Sequence, residues 1–249
     1  MPRDGAVSST PAAPQAVRPR RVVTDRRGGR SVSPYDSFNL GSHVGDDPAA
    51  VAANRERLAR ELGVAADRLV WMDQVHGTRV AVVDGPVDGP LAGTDAVVTR
   101  TPGLVLCVLV ADCVPVLLAD SAAGVVAAVH AGREGVRQGV VPATLAAMAR
   151  LGSRPADVTA LLGPAVCRAC YEVPRAMQAE VARVAPAAAV STRRGTPGLD
   201  LRAGLAELLT RAGVREVVHG PRCTMEDPTL FSHRRDGVTG RQAGLVWLD

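Results

Sequence analysis

Leu104-Val105-Leu106-Cys107-Val108-Leu109-Val110-Ala111 is eight apolar residues in a row, and Gly124-Val125-Val126-Ala127-Ala128-Val129 is a similar run of six. Short runs of this kind suit strands buried on both faces, although periodicity alone does not separate them from buried helix. Each run leads to a residue that can bind metal. Ala111-Asp112-Cys113-Val114-Pro115 closes the first, and Val129-His130-Ala131-Gly132 closes the second.

Outward from these runs, strands are expected at 68–72, 79–83 and 96–99 on the N-terminal side. Before them a helix is expected to start at Pro48, with Asp47 as its cap and Gly63 as its stop, because Val51, Leu58 and Leu62 form an apolar stripe. On the C-terminal side the pattern predicts a helix over 137–150, a strand over 158–162, helices over 174–185 and 200–212, and strands over 216–219 and 243–248. Strands and helices mix without strict alternation. The expectation is an α+β fold, a single layered domain with parallel and antiparallel pairs, spanning 21–249 after a disordered leader at 1–20 rich in Pro, Ala and Ser.

A chain of 249 residues with 47% hydrophobic content can bury a substantial core. Aromatic residues are only 2%, which leaves little material for the base-stacking platforms of single-strand nucleic-acid binders. The net charge is +4, and much of the surplus lies in Arg18, Arg20, Arg21, Arg26, Arg27 and Arg30, which read as a solvated tail or face rather than a nucleic-acid site. No segment has the ~18 to 20 consecutive apolar residues that cross a bilayer, so no membrane role is expected. Five cysteines, an odd and scattered count, fit reduced thiols in a cytoplasm better than a disulfide framework.

A third segment, Gln74-Val75-His76-Gly77, adds another imidazole beside a turn-former. Two histidines and a cysteine are three protein ligands, the number that leaves a catalytic zinc with an open position. The spacing places Cys113 and His130 at the ends of two consecutive apolar strands joined by a connection at 120–123. The same atoms also suit a Cys–His pair with Cys113 as nucleophile, and Asp112 could orient a histidine or, unpaired, hinder the thiolate. Cys167-Arg168-Ala169-Cys170 reads as core or surface thiols, because no second ligand pair at matching spacing is evident. Cys107 reads as packing. The Arg-rich segment from Ser232-His233-Arg234-Arg235-Asp236-Gly237 through Thr239-Gly240-Arg241 could hold an anionic substrate group or form a paired surface loop, and Gly132-Arg133-Glu134-Gly135 is a second possible anion site ahead of a helix.

Seven segments occur in order from about residue 24 to the C-terminus: Tyr35 to Gly41, Gln74 to Gly77, Thr94-Asp95-Ala96, Ala111 to Pro115, Val129 to Gly132, Leu162-Gly163-Pro164 with Tyr171-Glu172-Val173, and Arg222-Cys223-Thr224 with Arg234-Arg235-Asp236. Together they resemble the YfiH family, also called laccase-domain-containing or PgeF-type proteins. The resemblance implies a layered αββα sandwich with His76, Cys113 and His130 as both catalytic set and zinc ligands. Copper is the alternative metal attached to the family. It further implies purine nucleoside phosphorylase activity on adenosine, inosine, guanosine and methylthioadenosine, with phosphate as co-substrate and adenosine deamination alongside. Asn39, Arg234 and Arg235 are carried over from the matched segments as substrate contacts.

This chain departs from the family where Trp then Arg usually follow His-Ala-Gly. It has Arg133 then Glu134, which leaves phosphate to Arg133 or to the Arg234/Arg235 loop. A multicopper oxidase would need many more than the five histidines present. The rival expectations are a hydrolase editing peptidoglycan precursors through Cys113 and His130, and a non-catalytic metal-binding module.

Overall fold

The computed structural model describes residues 18–249; positions 1–17 of the expected 1–20 leader lie outside the described residues. Pro19 and Arg20 already belong to the first strand, β1 (Pro19–Val23), which pairs with the last strand of the chain. In chain order there follow α1 (Pro48–Leu62), β2 (Leu69–Val70), β3 (Val80–Val82), β4 (Ala96–Thr99), β5 (Val105–Val110), β6 (Val114–Asp120) and β7 (Val125–Ala131). Then come α2 (Arg133–Gln138), α3 (Val140–Arg150), β8 (Val158–Leu162), α4 (Arg175–Ala182), β9 (Ala189–Ser191), β10 (Pro197–Leu199), α5 (Leu201–Arg211), β11 (Glu216–His219), α6 (His233–Asp236) and β12 (Gln242–Leu248).

Two main sheets result, one ordered β1-β12-β5-β2 and the other β11-β8-β6-β7-β4-β3, with β9 and β10 as a separate pair. Both are mixed: β2/β5, β3/β4 and β8/β11 are parallel, and the remaining neighbours are antiparallel. The apolar runs explain the layering through the two-residue period of a strand. In β5, Val105, Cys107 and Leu109 turn outward to pack with Leu58 and Trp71 beneath α1, whereas Leu106, Val108 and Val110 turn inward. There they meet Leu117 of β6 and Val126 and Ala128 of β7. The opposite face of the six-stranded sheet, with Val116, Leu118 and Val129, packs against Leu145 and Met148 of α3 and Leu205 and Leu209 of α5. The order of layers is helix, sheet, sheet, helix, the αββα sandwich, in one domain.

One expectation about the centre is corrected. The two apolar runs are not neighbours in one sheet, since β5 lies in the four-stranded sheet and β7 in the six-stranded one. The neighbours of β7 are β4 and β6, and β6 is hidden in the sequence because Pro115 interrupts its apolar pattern. Pro115 is tolerated as the second residue of that strand, where the loss of one amide donor is least disruptive. The connection at 120–123 therefore closes a β6–β7 hairpin, in which Pro115 stands opposite His130.

Other boundaries moved for local reasons. The helix expected over 137–150 begins at Arg133 and is cut at Gly139, whose φ of +94° is left-handed and ends α2 before α3 starts. The first helix matches expectation, with Asp47 accepting from the Ala49 amide at 2.9 Å and Gly63 at φ +71°. The N-terminal arginines are largely satisfied within the protein: Arg20 pairs with Asp249, Arg26 with Asp36 and Arg27 with Asp25.

Candidate metal centre and its cleft

His76, Cys113 and His130 come from three separate places and meet. His76 lies on a turn with φ +62°, a left-handed conformation that an L-residue holds only when its surroundings impose it. The agent is Asp95, fully buried at the head of β4. Its carboxylate accepts the backbone N–H groups of Val75 at 3.2 Å, His76 at 2.9 Å and Gly77 at 2.7 Å. It also accepts the Nδ1 hydrogen of His130 at 2.8 Å, so one carboxylate orients both imidazoles. With Nδ1 protonated, His130 keeps Nε2 as a lone-pair donor, the arrangement usual for a metal-bound histidine.

Cys113 follows Asp112 in the tight crossing from β5 to β6, where Asp112 has φ +90°. The sequence left open whether Asp112 serves a histidine. It does not: its carboxylate accepts from Thr224 Oγ1 at 2.6 Å, Ser232 Oγ at 2.7 Å and the Arg234 amide at 2.7 Å. Asp112 therefore fastens the Arg-rich loop over the site and fixes the turn that presents the thiol.

The donor atoms of the three residues all lie within 4.8 Å of one another. His76 Nε2 is 3.7 Å from Cys113 Sγ, and the two imidazole rings are 4.6 Å apart at 69°. Tetrahedral zinc bonds imply donor separations of about 3.3–3.6 Å, so one ion fits with little movement. Gly132 makes room for this. A Cβ there would come within 2.7 Å of His76 Cδ2 and 3.0 Å of Cys113 Sγ. Burial pushes the Cys113 thiol up, but the His130 and His76 imidazoles outweigh it and bring it down to about 6. Burial likewise disfavours charge on His130, and Cys113 and Asp95 reverse this, raising it to about 9. Both shifts run in the direction of a thiolate beside an imidazolium.

The centre opens into a cleft of about 380 Å³ lined among others by Tyr171, His43, His233, Arg234 and Arg241. Arg234 stacks 4.5 Å over the Tyr171 ring and donates to the Glu172 carbonyl at 2.8 Å. Arg241 donates to the carbonyls of Thr239 and Gly240. His233 Nδ1 donates to the Gly237 carbonyl at 2.7 Å, which leaves its Nε2 as an acceptor.

The structure places the other expected residues differently. Asn39 is fully buried, and its amide is consumed by Gly41, Asp46 and the Arg241 amide, so it braces the cleft wall from behind. Arg235 spends its guanidinium on Asp236 and on the carbonyls of Thr224, Asp227 and Leu230, holding its own loop. Arg133 pairs with Glu134 at 2.5 Å, and Glu134 also takes Arg137, which fills the turn proposed for a second anion. Arg241, the last residue of the Arg-rich segment, does line the cleft, whereas Asp95 and His43 have no role legible in the sequence. Asp95 did carry a signal, as an acid immediately before an apolar strand.

A layered αββα protein with a buried-carboxylate-anchored His-Cys-His centre in a basic cleft is the class that fold and site define. Residues 20–249 match the family model described as multi-copper polyphenol oxidoreductase laccase. A Mycobacterium tuberculosis protein named purine nucleoside phosphorylase is 57% identical over 234 residues, covering 94% of each chain. A Streptomyces coelicolor protein of the same name is 59% identical over 227 residues, 91% of this chain and 94% of its own. The crystal structure of Bacillus licheniformis hypothetical protein YfiH superposes with a TM-score of 0.87 at 31% identity, over 93% of each chain. The chain belongs to this laccase-like YfiH family. Among the described residues the histidine-bearing donor group is the three-residue centre alone, far short of what a multicopper oxidase requires.

Proposed function

We propose that the chain is a zinc-dependent purine nucleoside phosphorylase, acting on adenosine, inosine, guanosine and methylthioadenosine with inorganic phosphate. The observation that carries this reading is the convergence of the His76, Cys113 and His130 donors at the floor of a cleft whose rim holds Arg234 and Arg241. The names of the relatives support the substrate class. Zinc bound by His76, Cys113 and His130 would supply Lewis-acid polarisation. The protein does the rest. Arg234, braced by Tyr171 and the Glu172 carbonyl, offers its remaining N–H groups to phosphate, and Arg241 adds a second guanidinium, whose pKa burial lowers from the usual arginine value. Phosphate oxygen forms the bond to ribose C1′ as the bond to the purine nitrogen breaks, and the leaving base takes up a proton. His233 Nε2 and His43 are the cleft groups placed to hold or pass it. Adenosine deamination is proposed as a side activity of the same cleft, and a reducing cytoplasm suits the five free thiols.

Phosphate-dependent release of hypoxanthine from inosine and adenine from adenosine, followed by chromatography, tests the reading. Zinc-loaded protein should release base only with phosphate. His76→Ala should lose at least about 100-fold, because removing a ligand costs more than the 10–100-fold of losing an outer partner. No release at full metal occupancy rejects the assignment.

A Cys113 thiol drawn down to about 6 also favours a second reading, a thiol hydrolase of peptidoglycan precursors. The two separate cleanly. A thiol hydrolase survives chelation and dies on alkylation of Cys113, whereas the phosphorylase is lost on chelation.

A further inference from the structure

Cys167, Cys170, Cys223 and Glu226 form a second donor group, remote in sequence from the first, whose ligand atoms all lie within 4.8 Å of one another. The sequence showed only Cys167-x-x-Cys170 and no partner pair. The partner is Cys223-x-x-Glu226, hidden because its second donor is a carboxylate. We propose that these four side chains bind a second, structural zinc ion.

The two halves are built alike. The amides of Cys170 and Tyr171 both donate to the Cys167 carbonyl at 3.0 Å. The amides of Glu226 and Asp227 both donate to the Cys223 carbonyl, at 3.2 and 2.9 Å. Each turn thus presents its first and fourth side chains together, and the turns face each other. A bridge between Ala165 and Cys223 sets their register, and the Cys167 amide donates to Cys223 Sγ at 3.3 Å, a bond that suits a thiolate. Cys167 Sγ lies 3.8 Å from Glu226 Oε2, near the donor spacing of a tetrahedral ion.

The position also attracts a cation. Arg193 donates to Cys170 Sγ at 2.9 Å and pairs with Glu226, bridging two of the four proposed ligands. Three thiolates and a carboxylate around a divalent ion leave surplus negative charge, which Arg193 would partly offset from outside. Soft thiolates favour zinc over magnesium or calcium, and four protein donors close the coordination, as in a structural rather than a catalytic site. Cys170 and Glu226 border an open groove of about 860 Å³, which gives an ion a path in. Tyr171 follows Cys170 directly, and Thr224 follows Cys223 and anchors Asp112. The ion would clamp the segment that carries Tyr171 into the cleft to the segment whose Thr224 holds the cleft residue Asp112.

Zinc per chain, measured by mass spectrometry on full-length protein purified under reducing conditions, decides the matter. Wild type should carry about two ions. The His76→Ala/Cys113→Ala/His130→Ala variant should keep one, and Cys167→Ser/Cys170→Ser should keep the other, so failure of either site is told apart. Because the serine variant replaces packed thiols, a second measurement uses the triple-alanine protein loaded with cobalt. It should show thiolate-to-cobalt charge transfer in the near ultraviolet, weakened in Glu226→Ala and retained in Arg193→Ala. A single wild-type ion that Cys167→Ser/Cys170→Ser retains, no metal in the triple-alanine protein, or a Cys167–Cys170 disulfide in the freshly purified chain would each overturn the assignment.

Discussion

Replacing Asp95 by Asn leaves shape almost unchanged and tests whether one buried carboxylate organises the centre. Asp95 Oδ1 accepts from the His76 amide and His130 Nδ1, and Oδ2 accepts from the Gly77 and Val75 amides. In either orientation, the new NH₂ faces two donors where an acceptor stood. Hydrogen bonds to a charged group contribute about 1.5–3 kcal/mol each, so two lost bonds amount to about 3–6 kcal/mol before relaxation. The cheapest relaxation turns the NH₂ toward His130 and moves its proton from Nδ1 to Nε2, the atom needed for metal. Zinc affinity should therefore fall by about 10–100-fold, or about 1.4–2.7 kcal/mol. Chelator competition at pH 7 reads the affinity, and nitrogen NMR of zinc-loaded protein reads which His130 ring nitrogen carries the proton. Binding within about threefold of wild type, with the His130 tautomer unchanged, would refute the role assigned to Asp95.

Gly132→Ala should weaken zinc binding by His76, Cys113 and His130 by more than about tenfold, since its Cβ would press on His76 and Cys113; an unchanged chelator titration contradicts the cradle. In metal-free protein, alkylation of Cys113 should rise with pH through a midpoint near 6 and level off above it, because the thiolate is the reactive form; His130→Ala should move the midpoint upward, and an ordinary midpoint near ~8.5 in wild type would count against the ion pair. Asp112→Ala strands three donors on Thr224, Ser232 and Arg234 and should cost about 3–5 kcal/mol of stability in a denaturant titration, with less than about 1 kcal/mol indicating that the loop is held otherwise. Arg234→Ala should raise the KM for phosphate by at least about tenfold with a smaller effect on nucleoside KM, and equal effects on both would remove it from phosphate binding.

The layers of the fold were legible because β5 and β7 are covered on both faces, which leaves an uninterrupted apolar run as its trace. The strand between them was lost to Pro115, a residue that argues against a central strand unless it stands near an end. The three donors were legible from residue type and turn context. The positioning shell was not, because Asp95 acts through backbone amides and one ring nitrogen at distances that sequence does not encode. Arg234 and Arg235 are adjacent and chemically identical, yet only the first lines the cleft. The second is spent on carbonyls of its own loop, a choice made by the four-residue helix α6 and its Ser232 cap. Cys223-x-x-Glu226 went unseen because a carboxylate in place of a fourth thiol breaks the pattern by which paired cysteines are read.

A crystal of the zinc-loaded protein measured on both sides of the zinc absorption edge locates the ion directly. An anomalous peak is expected about 2.0–2.1 Å from a ring nitrogen of His76 and from His130 Nε2 and about 2.3 Å from Cys113 Sγ. A fully loaded crystal with no peak among those three atoms would contradict it.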